Sequence, residues 1–163
     1  MNVGRFVIAG VTASVLFLIL DARDEMRNMA RERGVTFRQN LPESEILTVY
    51  GLRDLLVTAM SEIIRNALQY SASGTQVKLV LARDEHWGVV TVSDQGNGIK
   101  PEDQANIWNV LIQSEREFNE QQGAGMGLPI VKGIIAMHGG ETELDSVPGQ
   151  GTRVTIRLPL VFD

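Results

Sequence analysis

The sequence predicts an α+β sandwich: a mixed, mostly antiparallel sheet of about five strands, covered on one face by about three helices. Three observations predict it. Strand-like runs come in neighbouring pairs, Gln76–Ala82 with the alternating Trp87–Ser93 and Glu141–Ser146 with Thr152–Leu158, so the strands group as hairpins. The helical stretches lie between these groups and can all cover one face, which speaks against a doubly wound sheet. In the last strand Val154, Ile156 and Leu158 alternate with Arg153, Thr155 and Arg157, so the other face is wet.

The bulk properties suit one globular domain over residues 1–163, long enough to bury a core. A net charge of −5 argues against a general nucleic-acid surface. There are no cysteines, hence no disulfide framework or thiolate chemistry. Two histidines, His86 and His138, are too few and too far apart to suggest zinc.

Taken in order, the first problem is Phe6–Leu20, apolar apart from Thr12 and Ser14. It is short for a membrane span, and no small-x-small cleavage site follows it. We read a short strand, Phe6–Ala9, and a buried helix from Val11 to Arg33 that runs unbroken into polar sequence and stops at Gly34. The chain is therefore not expected to span a membrane. Val35–Gln39 and Ile46–Tyr50 read as strands, and Leu52–Tyr70 as a long helix. Arg83–His86 turns the first hairpin. Pro101, Glu102 and Asp103 open a short helix. Residues 107–124 are polar and patternless, a loop long enough to be functional. Leu128–Met137 is a helix closed by Gly139-Gly140, and Pro129 suits its first turn.

Three stretches carry chemistry. In Asp94-Gln95-Gly96-Asn97-Gly98-Ile99 an acid ends a half-buried strand and two glycines follow. Glycine lets the backbone turn and approach a ligand, so Asp94 can offer a carboxylate to an exocyclic amine such as adenine carries. Taken alone, the hexapeptide is equally an Asx-type turn. On the helix 52–70, Leu55, Leu56, Ala59, Ile63 and Ala67 form a core-facing stripe. Glu62 and Asn66, one turn apart, share a face that Tyr70 continues. Glu62 can act as a base and Asn66 can offer oxygen to a hard cation, although the pair alone is also an ordinary solvated face. Mg²⁺ is normally held by one or two protein groups plus substrate phosphates, so one Asn oxygen is enough. In Gly123-Ala124-Gly125-Met126-Gly127-Leu128 three alternate glycines run into a helix start, where backbone N–H groups form an anion site. The segment 107–124 ahead of it is placed to act as a lid.

In this order the motifs resemble the ATP-binding catalytic domain of sensor histidine kinases, in the superfamily shared with gyrase, Hsp90 and MutL. Residues 62–71 resemble its N box, 94–99 its first glycine box, 123–128 its second, continuing through Lys132 to Met137-His138-Gly139-Gly140, and 149–152 its last. The resemblance covers nearly the whole chain and implies a Bergerat-type ATPase fold with ATP and Mg²⁺ as ligands. It implies that Asn66 holds Mg²⁺ and that Asp94 accepts the adenine amine. Gly96, Gly98 and Ile99 would shape the adenine pocket, Tyr70 flank the nucleoside, and Thr152 close the adenine end. Gly123, Gly125, Met126, Gly127 and Leu128 would bound the phosphates beneath the lid, and Glu62 would be the catalytic base. His138 belongs to a helix-ending turn and not to phosphotransfer.

The resemblance further implies transfer of the γ-phosphoryl group to a histidine on a separate dimerisation and phosphoacceptor domain, with a response regulator downstream. It implies a cytoplasmic location, in a parent kinase that can be anchored to the inner membrane, and a monomeric isolated domain. No acceptor-type His-Glu-Leu-Arg stretch occurs here, which fits a piece of a larger kinase or a stand-alone module of the anti-sigma-factor serine-kinase type. Two departures matter. Gln69 stands where the family has a basic residue, and Val110 where many members have an arginine. Both remove cations from the transferred phosphate, where charge stabilisation does most of the work, and so point toward weak transfer or a regulatory module. Arg116 can compensate only if the lid brings it in. Trp108 and Leu111 are expected to anchor the front of that lid, and residues 113–124 to be ordered by ATP.

Overall fold

The computed structural model describes residues 10–109 and 124–162. Its elements are β1 (Val11–Ser14), α1 (Val15–Glu25), α2 (Arg27–Arg33), β2 (Thr36–Asn40), β3 (Thr48–Gly51) and α3 (Arg53–Tyr70). They continue with β4 (Gln76–Asp84), β5 (Trp87–Ser93), α4 (Pro101–Gln104), α5 (Ala124–Met137), β6 (Glu141–Val147) and β7 (Gly151–Pro159). Five strands form one sheet in the order β2-β4-β5-β7-β6, with only β2–β4 parallel. This is the mixed α+β sheet that the hairpin pattern predicts. The strand expected at Phe6–Ala9 lies outside the described residues, as do the lid positions Val110, Leu111 and Arg116.

The N-terminal helix differs from expectation. Residues 11–14 are extended and pair antiparallel with β3, from Val11 opposite Gly51 to Ser14 opposite Thr48. β-branched Val11 and Thr12 suit that backbone, and the apolar run alone cannot tell a short strand from the first turn of a helix. The helix then breaks at Met26 (φ −94°, ψ 0°), whose N–H is shared between the carbonyls of Ala22 and Arg23. Among the described residues no helix is long and apolar enough to cross a membrane. Val15, Leu18 and Ile19, from the run in question, are core residues.

The core lies between one sheet face and the helices α1, α3 and α5. Val77, Leu79, Leu81, Val90, Val92, Val154, Ile156 and Leu158 face it from the strands. α3 is the middle helix and packs against both α1 and α5. It therefore buries more than one stripe: Val57, Met60, Ile64 and Leu68 are covered as well as Leu56, Ala59, Ile63 and Ala67, while Leu55 is only half-buried. The first hairpin is tighter than expected. β4 runs on to Asp84, which pairs with Trp87, so Glu85 and His86 make the turn and Glu85 takes φ 52°. Trp108 packs against the core at the front of the expected lid.

Two helices end on left-handed glycines. At Gly34 (φ 67°) the next N–H, of Val35, returns to Ala30, and at Gly139 (φ 72°) the N–H of Gly140 returns to Ile135, both at 2.9 Å. The second stop places His138. Its Nε2 accepts from the Leu52 N–H at 3.0 Å, ahead of α3, and its Nδ1 donates to the Ile134 carbonyl at 2.7 Å. The imidazole, accepting through one ring nitrogen and donating through the other, ties the end of α5 to the start of α3. A Cβ at Gly51 would stand 2.2 Å from the ring carbon Cδ2, so only glycine leaves it room.

Gly51→Ala should force the ring off Leu52 and leave its part-buried N–H unpaired, costing about 1–3 kcal/mol. His138→Ala adds a cavity and should cost about 2–4 kcal/mol. Urea midpoints check both. An unchanged midpoint for Gly51→Ala would mean that the ring does not depend on that gap.

Candidate functional site

Asp94 stands just past the end of β5, and its own N–H donates to the Thr152 carbonyl at 2.9 Å. Its Oδ1 accepts from the Gly96 N–H at 2.9 Å and from the Thr152 N–H at 3.2 Å. The side chain is buried, and loss of hydration pushes its pKa above the usual carboxylate range, partly offset by the Gly96 and Thr152 donors. Because Oδ1 takes both backbone donors, Oδ2 is the oxygen left to meet a ligand.

The glycines around this carboxylate are sites of close approach. A Cβ at Gly96 would fall 2.2 Å from the Tyr70 carbonyl, which brings the end of α3 against the Asp94 loop. Gly98 has φ 71°, and a Cβ there would meet the Val147 carbonyl at 2.3 Å. Gly151 lies so close to the Asp94 carbonyl that a Cβ would sit 2.2 Å from it. A cleft of about 270 Å³ opens here, lined by Asp94, Ser146, Val147, Gly151 and Thr152 among others.

Two residues in this network are not marked by the sequence motifs. The Ser146 hydroxyl accepts from the Ile99 N–H at 2.7 Å and shares a hydrogen bond with the Thr152 hydroxyl at 2.8 Å. The Gln104 amide donates to the carbonyls of Ile99 and Ser146, at 2.8 and 2.9 Å. Together they stitch the Asp94 loop to β6. A serine late in a strand and a glutamine ending a four-residue helix carry no local signal; only the fold brings them to Ile99.

The second cluster is on α3. Asn66 is buried, and Glu62 is mostly covered and ion-paired with Arg65 at 2.8 Å. Gly127 packs against this face, since a Cβ there would lie 2.7 Å from Glu62 Oε2. α5 starts earlier than expected, at Ala124, so Gly125, Met126 and Gly127 lie in its first turn. The four N–H groups of Ala124–Gly127 then have no helical acceptor and present the positive end of the helix. Pro129 sits inside the helix and not in its first turn, and Leu128 turns its side chain into the core. Gly123 lies outside the described residues. The fold thus gathers Asp94, Gly96, Gly98, Ile99 and Thr152 at one end and Glu62, Asn66 and Gly127 at the other, with Tyr70 between.

A family profile described as histidine kinase-, DNA gyrase B- and HSP90-like ATPase matches residues 51–161. The chain belongs to this ATPase family. The sensor histidine kinase RppB of Synechocystis sp. is 30% identical over 144 residues, which cover 88% of this chain and 32% of the relative. The adaptive-response sensory kinase SasA of Rippkaea orientalis is 33% identical over 144 residues, 88% of this chain and 36% of its own. The chain thus spans about a third of the length of the curated relatives it matches. Among solved structures, the mycobacterial sensor histidine kinase MprB superposes with a TM-score of 0.77 at 24% identity, over 93% of this chain and 98% of that one. The catalytic domain of the histidine kinase ThkA superposes with a TM-score of 0.78 at 19% identity, over 93% and 96%. At these identities the superpositions establish the shared fold.

The site residues fit the ligands of an ATPase of this family. A carboxylate with one oxygen braced suits an amine donor, and glycines hold the backbone close around it. Among the described residues there is no group of three or more His, Cys, Asp or Glu able to hold a metal by themselves.

Burial of Asp94 raises its folded pKa above the unfolded 3.8, so the folded state binds more protons between those two values. Stability therefore falls as pH rises through that window, and the penalty stays in place above it. Asp94→Asn, which keeps an acceptor for Gly96 and Thr152, should raise Tm at pH 7. The advantage over the parent should shrink as pH approaches 4. A Tm difference independent of pH would show that Asp94 does not carry this cost.

Proposed function

We propose that residues 1–163 form one domain that binds Mg-ATP between Asp94 and the N-terminus of α5. It then passes the γ-phosphoryl group to a histidine on a separate dimerisation and phosphoacceptor domain, for onward transfer to a response regulator. The observation that carries this reading is the buried Asp94 carboxylate, braced at Oδ1 and bordered by glycines at van der Waals limits. Retaining a charged group under cover at a cost to stability is what a recognition site does, and not what a turn needs.

In this reading Asp94 Oδ2 accepts the adenine amine, while Gly96, Gly98, Ile99 and Thr152 shape the ring's slot. Tyr70 flanks the nucleoside, and the free N–H groups at the start of α5 face the phosphates. Asn66 offers its amide oxygen to magnesium, whose part when bound is to neutralise charge on the phosphates. Glu62 lies against Gly127, on the phosphate side, where it can take a proton from the attacking imidazole or orient it. Its pairing with Arg65 means that it must exchange partners to do so. The sensor kinases among the relatives favour this reading over a serine kinase of the anti-sigma-factor type. Gln69 favours a second reading, a nucleotide-binding module with weak transfer, because a neutral amide stabilises charge on the moving phosphate less than a cation does.

Asp94→Asn should weaken ATP binding about 10- to 100-fold, the worth of a hydrogen bond to a charged group, while the protein stays folded. Calorimetry checks this, and unchanged affinity would remove Asp94 from the site. Asn66→Ala should abolish the tightening of ATP binding by Mg²⁺. Incubation with labelled ATP and an acceptor domain from a related kinase separates transfer from binding alone. Label on the acceptor histidine supports the kinase, and tight binding with no label supports the module.

A further inference from the structure

Gln69 carries the one buried side-chain polar atom among the described residues that has no hydrogen-bond partner, its amide oxygen Oε1. It sits three residues beyond Asn66 and seven beyond Glu62 on α3, and at 3.6 residues per turn all three fall on one face. Gly127, packed against Glu62, shows that this face looks toward the first turn of α5. The backbone of Gln69 is itself held, its carbonyl accepting from Arg33 at 3.2 Å, so the side chain leaves the helix from a fixed base.

The chemistry of the free atom is informative. A lysine or arginine here would meet phosphate oxygens directly. The amide nitrogen of Gln69 can donate to a phosphate oxygen, but the buried oxygen cannot meet one directly, because it and the phosphate oxygens are all acceptors and repel. A proton donor or a cation has to face it, and Asn66 offers a second carbonyl oxygen from the adjacent turn, at the about 5–6 Å Cβ spacing of such helix pairs. Hard cations take oxygen ligands of this kind, and Mg²⁺ keeps waters that need acceptors of their own. We propose that Gln69 Oε1 faces the same magnesium ion as Asn66, directly or through one water of its shell. α3 then holds the metal with two amide oxygens where the family pattern has an amide and a cation. The inference rests on the ATP-site reading above. It makes Gln69 a residue that exchanges direct phosphate binding for dependence on the metal, and not simply a lost contact.

The test compares ATP affinity of the whole chain in EDTA and in Mg²⁺, and reads the ratio of the two dissociation constants. Gln69→Ala and the isosteric Gln69→Met should each lower that ratio about three- to tenfold, the value of one polar interaction, while Gln69→Glu keeps it. Gln69→Lys should tighten metal-free ATP binding and leave a smaller response to Mg²⁺. Thermal unfolding of each variant confirms that it is folded. Ratios for the Ala and Met variants within twofold of the parent, with Asn66→Ala having lost its own, would overturn the proposal and leave the site standing. Failure of the parent to bind ATP, or an unchanged ratio in Asn66→Ala, would instead remove the ATP-site reading and this proposal with it.

Discussion

A carboxylate kept under cover needs donors aimed at it, and that requirement at Asp94 organises one end of the candidate site. The donors are the N–H groups of Gly96, two residues on, and of Thr152, on a strand reached 58 residues later. The second can be supplied only if β5 and β7 lie side by side in register, with Ser93 opposite Arg153. Sheet order and site are thus one constraint. The close approach at Gly151 belongs to it, because the Asp94 carbonyl occupies the space where any Cβ at that position would go.

The other end of the site depends on α3 being the middle helix. It touches α1 on one side and α5 on the other, so most of its circumference is buried. Its polar face toward α5 is a narrow strip, Glu62, Asn66 and Gln69, itself largely covered. Gly127 brings the first turn of α5 to that strip, and His138 fixes the far end of α5 by capping Leu52. A helix held at both ends can present its N-terminal N–H groups in one direction, which is what anion binding requires.

These two halves meet where the Tyr70 carbonyl abuts Gly96. The contact is backbone against backbone and leaves no side chain to adapt, so the distance between Asp94 and Asn66 is set by the fold. Energetically the site runs against the core around it. Asp94 is buried at a cost, and Gln69 Oε1 is buried without a donor. Both are offset by the apolar packing of α1, α3 and α5 on the sheet. Such local costs are expected where a surface is shaped for a ligand and not for stability.

The sequence by itself determined the elements whose cause is local. Period-two alternation marked β5 and β7, glycines marked the stops at Gly34 and Gly139, and the Asp94 and Gly127 motifs marked the two clusters of the candidate site. In each case a few neighbouring residues control the dihedrals, so a short window suffices. The tertiary structure alone decided whatever depends on a distant partner. Val11–Ser14 became a strand because β3 pairs with it, α5 began four residues early, and Pro129 was carried inside it. Ser146 joined the site through Ile99, 47 residues away, and His138 became a cap through Leu52, 86 residues away. The role of Gln69 could not be seen in the motif, where it is only a missing cation. It emerges from burial of one oxygen without a donor, and burial is a property of the packed chain.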